Sequence, residues 1–146
     1  MLPAHDPFTR PDTHDLVIRA EPSSVRAALQ TITAAQPVCD LTDDQRGTVE
    51  IVLAEVLNNV AEHAYAYAAG PVAVTVALIP GGLACDVMDE GAPMPGGQLP
   101  EGRLPDGDLP EGGFGWHLIR SLTQDLSYRR QRGTNRLGFV IPLNGA

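Results

Sequence analysis

Residues 42–68 place apolar side chains at three- and four-residue intervals without a proline, and that repeat dictates a long amphipathic helix opening at Thr42 or Asp43. Val49, Leu53, Val56, Leu57, Val60 and Ala64 share one broad arc of the wheel. A helix with one apolar side must bury it against a second layer, so the rest of the chain has to supply one. The opposite arc is unusual. It holds Asp44, Glu55, Asn58, Asn59 and Glu62, with no basic residue among them. Each mid-helix asparagine costs about 0.5–0.7 kcal/mol against alanine. Solvated helical faces usually mix signs and gain from Glu–Lys pairs, and this one does not. Glu55 and Asn59 are one turn apart, so their side chains lie one above the other. A carboxylate and an amide oxygen in that relation suit a hard divalent cation that keeps water and phosphate ligands. A plain solvated face is the other reading of the same residues.

The second layer is written as alternating strands. "HDLVIRA" at 14–20 alternates, and "EPSSVRAALQTITAAQ" at 21–36 reads as a helix with serine available as a cap and a stop at Pro37. "PVAVTVALIP" and "LACDVMD" flank Pro80-Gly81-Gly82 as a hairpin. "FGWHLIRSLTQ" at 114–124 reads as a helix. "DLSYRRQ" and "NRLGFVIPL" form a last hairpin around Arg132-Gly133-Thr134. Residues 1–13 read as a loose tail and 14–146 as one domain. The order of elements predicts an α+β fold: a two-layer sandwich, with helices on one face of a mixed, mainly antiparallel sheet. Between the hairpins, residues 90–112 are rich in glycine and proline and repeat Leu-Pro-acid-Gly. A loop of that length in a domain this small reads as a lid or a linker.

A net charge of −8 argues against a general nucleic-acid surface. Five of the ten basic residues lie between Arg120 and Arg136, and a solvated edge accounts for them. No apolar run approaches the roughly 20 residues of a membrane span. The first residues carry no secretion signal, and two isolated cysteines fit a reducing cytoplasm.

Two further stretches bear on the Glu55/Asn59 pair. Asp89-Glu90-Gly91-Ala92-Pro93 puts a carboxylate at a strand end, where it can accept from a flat polar ring. Gly112-Gly113-Phe114-Gly115 precedes a helix, where exposed N–H groups and the helix dipole favour phosphate. Each is weak alone. Together and in order, the three stretches resemble the ATP-binding fold of the GHKL superfamily (the Bergerat fold), and most nearly the anti-sigma-factor serine/threonine kinases of the RsbW and SpoIIAB type. Glu55 to Tyr65 looks like that family's N box, Asp89 to Pro93 like its first glycine box, and Gly113 to Ser121 like its second. The likeness runs over about residues 14–143.

The resemblance implies a set of roles. Asn59 would hold Mg²⁺ bridging the phosphates of ATP, and Glu55 would be the general base for an attacking serine hydroxyl. Asp89 would accept from the adenine amino group, with Gly91 allowing close approach. Gly113, Phe114 and Gly115 would close over the phosphates, and His63 would position the phosphate region. The implied function is an ATP-dependent serine kinase acting as an anti-sigma factor in stress-responsive transcription. It would phosphorylate a STAS-type anti-anti-sigma partner, sequester a sigma factor, and form a homodimer through the sheet edge. The rivals are a nucleotide-binding partner-switching protein that transfers no phosphate, a detached histidine-kinase ATPase module, and a domain with no nucleotide site. The sequence departs from the pattern in its lid, where Arg103 stands alone among several acids.

Overall fold

The computed structural model describes residue 8 and residues 13–65, 68–101 and 114–143. Five strands, β1 (Thr13–Arg19), β2 (Pro71–Ile79), β3 (Gly82–Asp89), β4 (Gln124–Gln131) and β5 (Thr134–Pro142), form one sheet in the order β1-β2-β3-β5-β4. All four pairings are antiparallel, so the sheet contains no parallel pair among the described residues. Three helices, α1 (Pro22–Ala34), α2 (Asp43–Asn59) and α3 (Phe114–Leu122), make the second layer. The α+β two-layer sandwich expected from the sequence is the fold.

β2 and β5 bury roughly every second residue, while β3 between them is buried at nearly every position. Val72, Val74 and Val76 of β2, Leu83, Cys85 and Val87 of β3, and Leu137, Phe139 and Ile141 of β5 meet the apolar stripe of α2. In that stripe Val49, Val52, Leu53, Val56 and Leu57 are at most 1% exposed, worth about 1.5–3 kcal/mol each on full burial. Trp116 and Ile119 of α3 close the same core. The burial of Cys85 pushes its thiol pKa up, which leaves it an inert core group.

Local signals set the helix starts. Thr42 caps α2: its hydroxyl accepts from the Gln45 N–H at 3.2 Å, and the Gln45 side chain accepts from the Thr42 N–H at 3.0 Å. In α1 the expected serine cap is absent. Glu21 is the cap residue and its side chain caps no helix N–H, and Pro22 occupies the first turn, where its fixed φ and missing N–H cost nothing. β1 begins at Thr13, one residue inside the expected tail; residues 1–7 and 9–12 lie outside the described residues.

The long helix does not run to residue 68. It gives way at Asn59 to one π-helical turn, Val60–Ala64, closed by the Tyr65 N–H donating to the Val60 carbonyl at 3.1 Å. Three hydrogen bonds draw it out of α geometry. The Ala64 carbonyl accepts from the Ala92 N–H at 2.8 Å. The Tyr65 hydroxyl donates to the Pro71 carbonyl at 2.8 Å and accepts from the Glu90 N–H at 2.7 Å. Desolvation is the main cause of a raised phenol pKa at Tyr65, with the charges of Asp89 and Glu90 adding and the Glu90 N–H opposing. No helix among the described residues is long and apolar enough to cross a membrane.

Candidate functional site

The inward stripes of β3 and β5 end on polar residues. Asp89 and Asn135 stand directly opposite each other, 6% and 5% exposed, at the point where the core gives way to a cavity. That cavity, about 530 Å³, is walled by Val56, Asn59, Val60, His63 and Ala64 from α2 and the π turn. Ala92–Pro95 and Pro100 line it from the following loop, and Trp116, Tyr128 and Leu137 complete it. A largely apolar hollow of this size with a few convergent polar groups suits a small organic ligand.

At one end the polar groups are engaged with one another, apart from Asp89 Oδ2. Asp89 Oδ1 accepts from the Gly91 N–H at 2.9 Å and from Asn135 Nδ2 at 2.8 Å. Asn135 Nδ2 also donates to the Ala92 carbonyl at 2.8 Å, and its Oδ1 accepts from the Tyr128 hydroxyl at 2.6 Å and from Arg130 at 2.9 Å. Tyr128 in turn accepts from the Met94 N–H at 2.9 Å, and Arg130 donates to the Gly91 carbonyl at 2.8 Å. Gly91 sits where a Cβ would lie 2.3 Å from the Ala64 carbonyl oxygen, so no other residue lets the loop reach the π turn.

The other end is left open. Asn59 Nδ2 is buried with no hydrogen-bond partner among the described residues. Buried polar groups are rarely orphaned in this way, and those that are call for a ligand, a water or an ion. Gly115, in the first turn of α3, faces the same spot: a Cβ there would lie 2.8 Å from Glu55 Oε2 and 3.7 Å from the Asn59 amide. Glu55 is half-buried beneath Gly115 and does not line the cavity itself. His63 stands at the rim with its side chain 70% exposed, 4.0 Å from Glu62. Asn58 points outward to solvent. The adjacent asparagines therefore divide: Asn59 faces the cavity, while Asn58 belongs to the solvated surface.

Of the residues singled out in the sequence, Asn59, His63 and Asp89 line the cavity, Gly91 packs behind it, and Glu55 and Gly115 meet beside it. Gly113 lies outside the described residues, as does the Phe114 side chain. So do residues 102–112 of the expected lid, while its first part, 90–101, is described and includes the loop bonded to the π turn. Sequence reasoning missed Asn135, Tyr128, Arg130 and Trp116. One signal was available: Asn135 opens the run Asn135, Leu137, Phe139, Ile141, a polar residue at an inward position of an apolar strand.

A flat base fits the closed end, where Asp89 presents an acceptor. Phosphate oxygens fit the open end, where the orphaned Asn59 Nδ2 offers a donor and the helix turn has no Cβ; a hydrated cation bound with them would take the Asn59 Oδ1. Among the described residues no three His, Cys, Asp or Glu side chains cluster as a metal site, so such a cation would take most ligands from phosphate and water.

The sandwich and its cavity define the class, a Bergerat-type nucleotide-binding domain. A sequence profile of the histidine kinase-like ATPase domain matches residues 18–141, and the chain belongs to that family of ATP-binding domains. The fold is similar to the RsbU and RsbW domains of Rv1364c from Mycobacterium tuberculosis, at 17% identity and TM-score 0.60 over 90% of this chain and 32% of that one. It is also similar to the blue-light activated histidine kinase of Erythrobacter litoralis, at 21% identity and TM-score 0.53 over 83% of this chain and 40% of that one. The chain thus spans well under half the length of either. No curated protein sequence matches it.

Proposed function

We propose that the chain is an ATP-dependent serine protein kinase of the anti-sigma type, with a STAS-type anti-anti-sigma protein as substrate and a sigma factor as its alternative partner. The observation that carries this reading is the meeting of Glu55, Asn59 and Gly115. It sets a carboxylate with no hydrogen bond or ion pair among the described residues beside an orphaned amide. Asn59 is the residue that would hold Mg²⁺, which when bound neutralises phosphate charge. The α3 N-terminus and Gly115 would admit the phosphates, and Asp89 would orient the base. Glu55 would then accept the proton of the partner's serine hydroxyl as its oxygen bonds the γ-phosphorus and the bond to ADP breaks. Phosphoryl transfer asks little more of a protein than this positioning and charge. The likeness to a chain containing an RsbW domain is in keeping with the proposal, as are a cytoplasmic location and a homodimer.

A second reading, a nucleotide-binding partner switch without transfer, is favoured by one observation: Glu55 lies under Gly115 rather than in the cavity wall. Radiolabelled ATP incubated with the chain and STAS proteins encoded nearby separates the two. Phosphoserine on the partner, lost in Glu55→Gln while nucleotide still binds, is the expected result. Nucleotide and sigma-factor binding without any phosphoserine would establish the pure binder.

A further inference from the structure

We infer that Asn135 and Tyr128 determine which base the cavity accepts, by fixing Asp89 as an acceptor for an exocyclic amino group. This rests on the nucleotide reading of the cavity and deepens it. The direction of every hydrogen bond in the network is determined. Met94 can only donate from its N–H, so the Tyr128 oxygen accepts there and its proton goes to Asn135 Oδ1. Arg130 can only donate, and it reaches the same Oδ1. The Asn135 amide is thereby locked with its nitrogen toward Asp89 and the Ala92 carbonyl. Flipping it would set a donor against two donors and an acceptor against two acceptors.

Asp89 inherits that order. Its Oδ1 is taken by two N–H donors. Its Oδ2 has no partner among the described residues, and the side chain lines the cavity. The group met by a ligand there is an acceptor with its second oxygen held from behind. A purine with a 6-amino group satisfies it, whereas a 6-oxo purine sets oxygen against oxygen. Asn135 is thus a positioning residue that acts through Asp89, and Tyr128 is the residue that orients Asn135.

Calorimetry with Mg-ADP and Mg-IDP tests this, because the two ligands differ only along the N1/C6 edge of the base that Asp89 would read. Wild type should favour ADP by about tenfold or more, the worth of one hydrogen bond to a charged group. Asn135→Ala should bring the two affinities within about threefold by weakening ADP and sparing IDP. Asn135→Thr puts a hydroxyl donor in place of the amide on a residue suited to a strand, and should restore part of the preference. Tyr128→Phe leaves Asn135 in place but unlocks it, and should lower the preference about two- to fivefold; it also covers the case in which Asn135→Ala fails to fold. A merely structural role would weaken both ligands together. A preference unchanged in Tyr128→Phe and in any folded Asn135 variant overturns the inference and leaves the nucleotide reading standing. Wild type that binds neither ligand overturns both.

Discussion

The two ends of the cavity are built to opposite plans. At the base end, Asp89, Asn135, Tyr128, Arg130 and the loop Gly91–Met94 bond to one another before any ligand arrives, leaving only Asp89 Oδ2 for the ligand. At the phosphate end, Asn59 is orphaned and Glu55 has only the bare face of Gly115 above it. Complete networks hold a shape, while incomplete ones wait for a partner and cost stability meanwhile. The base end is therefore where recognition is pre-organised, and the phosphate end is where chemistry and metal would enter.

The contrast can be broken most severely at the phosphate end. Glu55→Gln keeps shape and hydrogen bonding but removes the base, and should lower transfer to a serine partner about 10²–10⁴-fold with nucleotide affinity nearly unchanged. Gly115→Ala puts a methyl against the tip of Glu55, 2.8 Å from Oε2. The fold should survive because that tip can move, but displaced geometry should cost about 10²-fold in single-turnover transfer. At the base end the sharpest change is Asp89→Asn. Its oxygen must stay facing Gly91 N–H and Asn135 Nδ2, so its amide nitrogen turns to the ligand. ADP should weaken about 10–100-fold and the order of ADP and IDP should reverse, read by calorimetry.

Smaller effects sharpen the comparison. Asn59→Ala removes an orphaned donor and a poor helix former. It should raise thermal stability by about 1 kcal/mol, a few degrees in a melting scan, while weakening the Mg²⁺-dependent part of nucleotide binding. An equivalent deletion at the base end should do the reverse. Tyr65→Phe removes two hydrogen bonds between the π turn and its neighbours, for a loss of about 1 kcal/mol at neutral pH. The phenol pKa is raised in the folded state, so its contribution is fully present below the unfolded value of about 10 and is lost as pH rises through the folded one. The gap between wild type and Tyr65→Phe should close above about pH 10 in melts followed by circular dichroism.

Much of the fold was legible because its signals are local. The Thr42–Gln45 cap, the alternation of β2, β3 and β5, and the glycine turns each act over a few residues. The π turn was not legible, because what ends α2 is the reach of Ala64 and Tyr65 to a loop some 25 residues later in the chain. The site divided in the same way. Glu55 and Asn59 could be paired from helical spacing alone. Asn135 could not be joined to Asp89, because their meeting depends on β5 lying beside β3 with one particular register. The helix cap of α1 was misread for a local reason: serine and proline compete for the same turn, and Pro22 has the first position.

The base end leans on β4, and β4 is an edge strand with a neighbour on one side only. Tyr128 lines the cavity from it, Arg130 reaches Asn135 and the Gly91 carbonyl, and most of its residues are exposed. Edge strands open in partial, sub-global fluctuations at lower free energy than the central pairing of β2, β3 and β5. Each such opening withdraws Tyr128 and Arg130 and dismantles the base end while the core stays folded. Amide exchange at Ser127–Gln131 and at Met94 should then report one shared opening event, and an adenine nucleotide should slow both by the same factor.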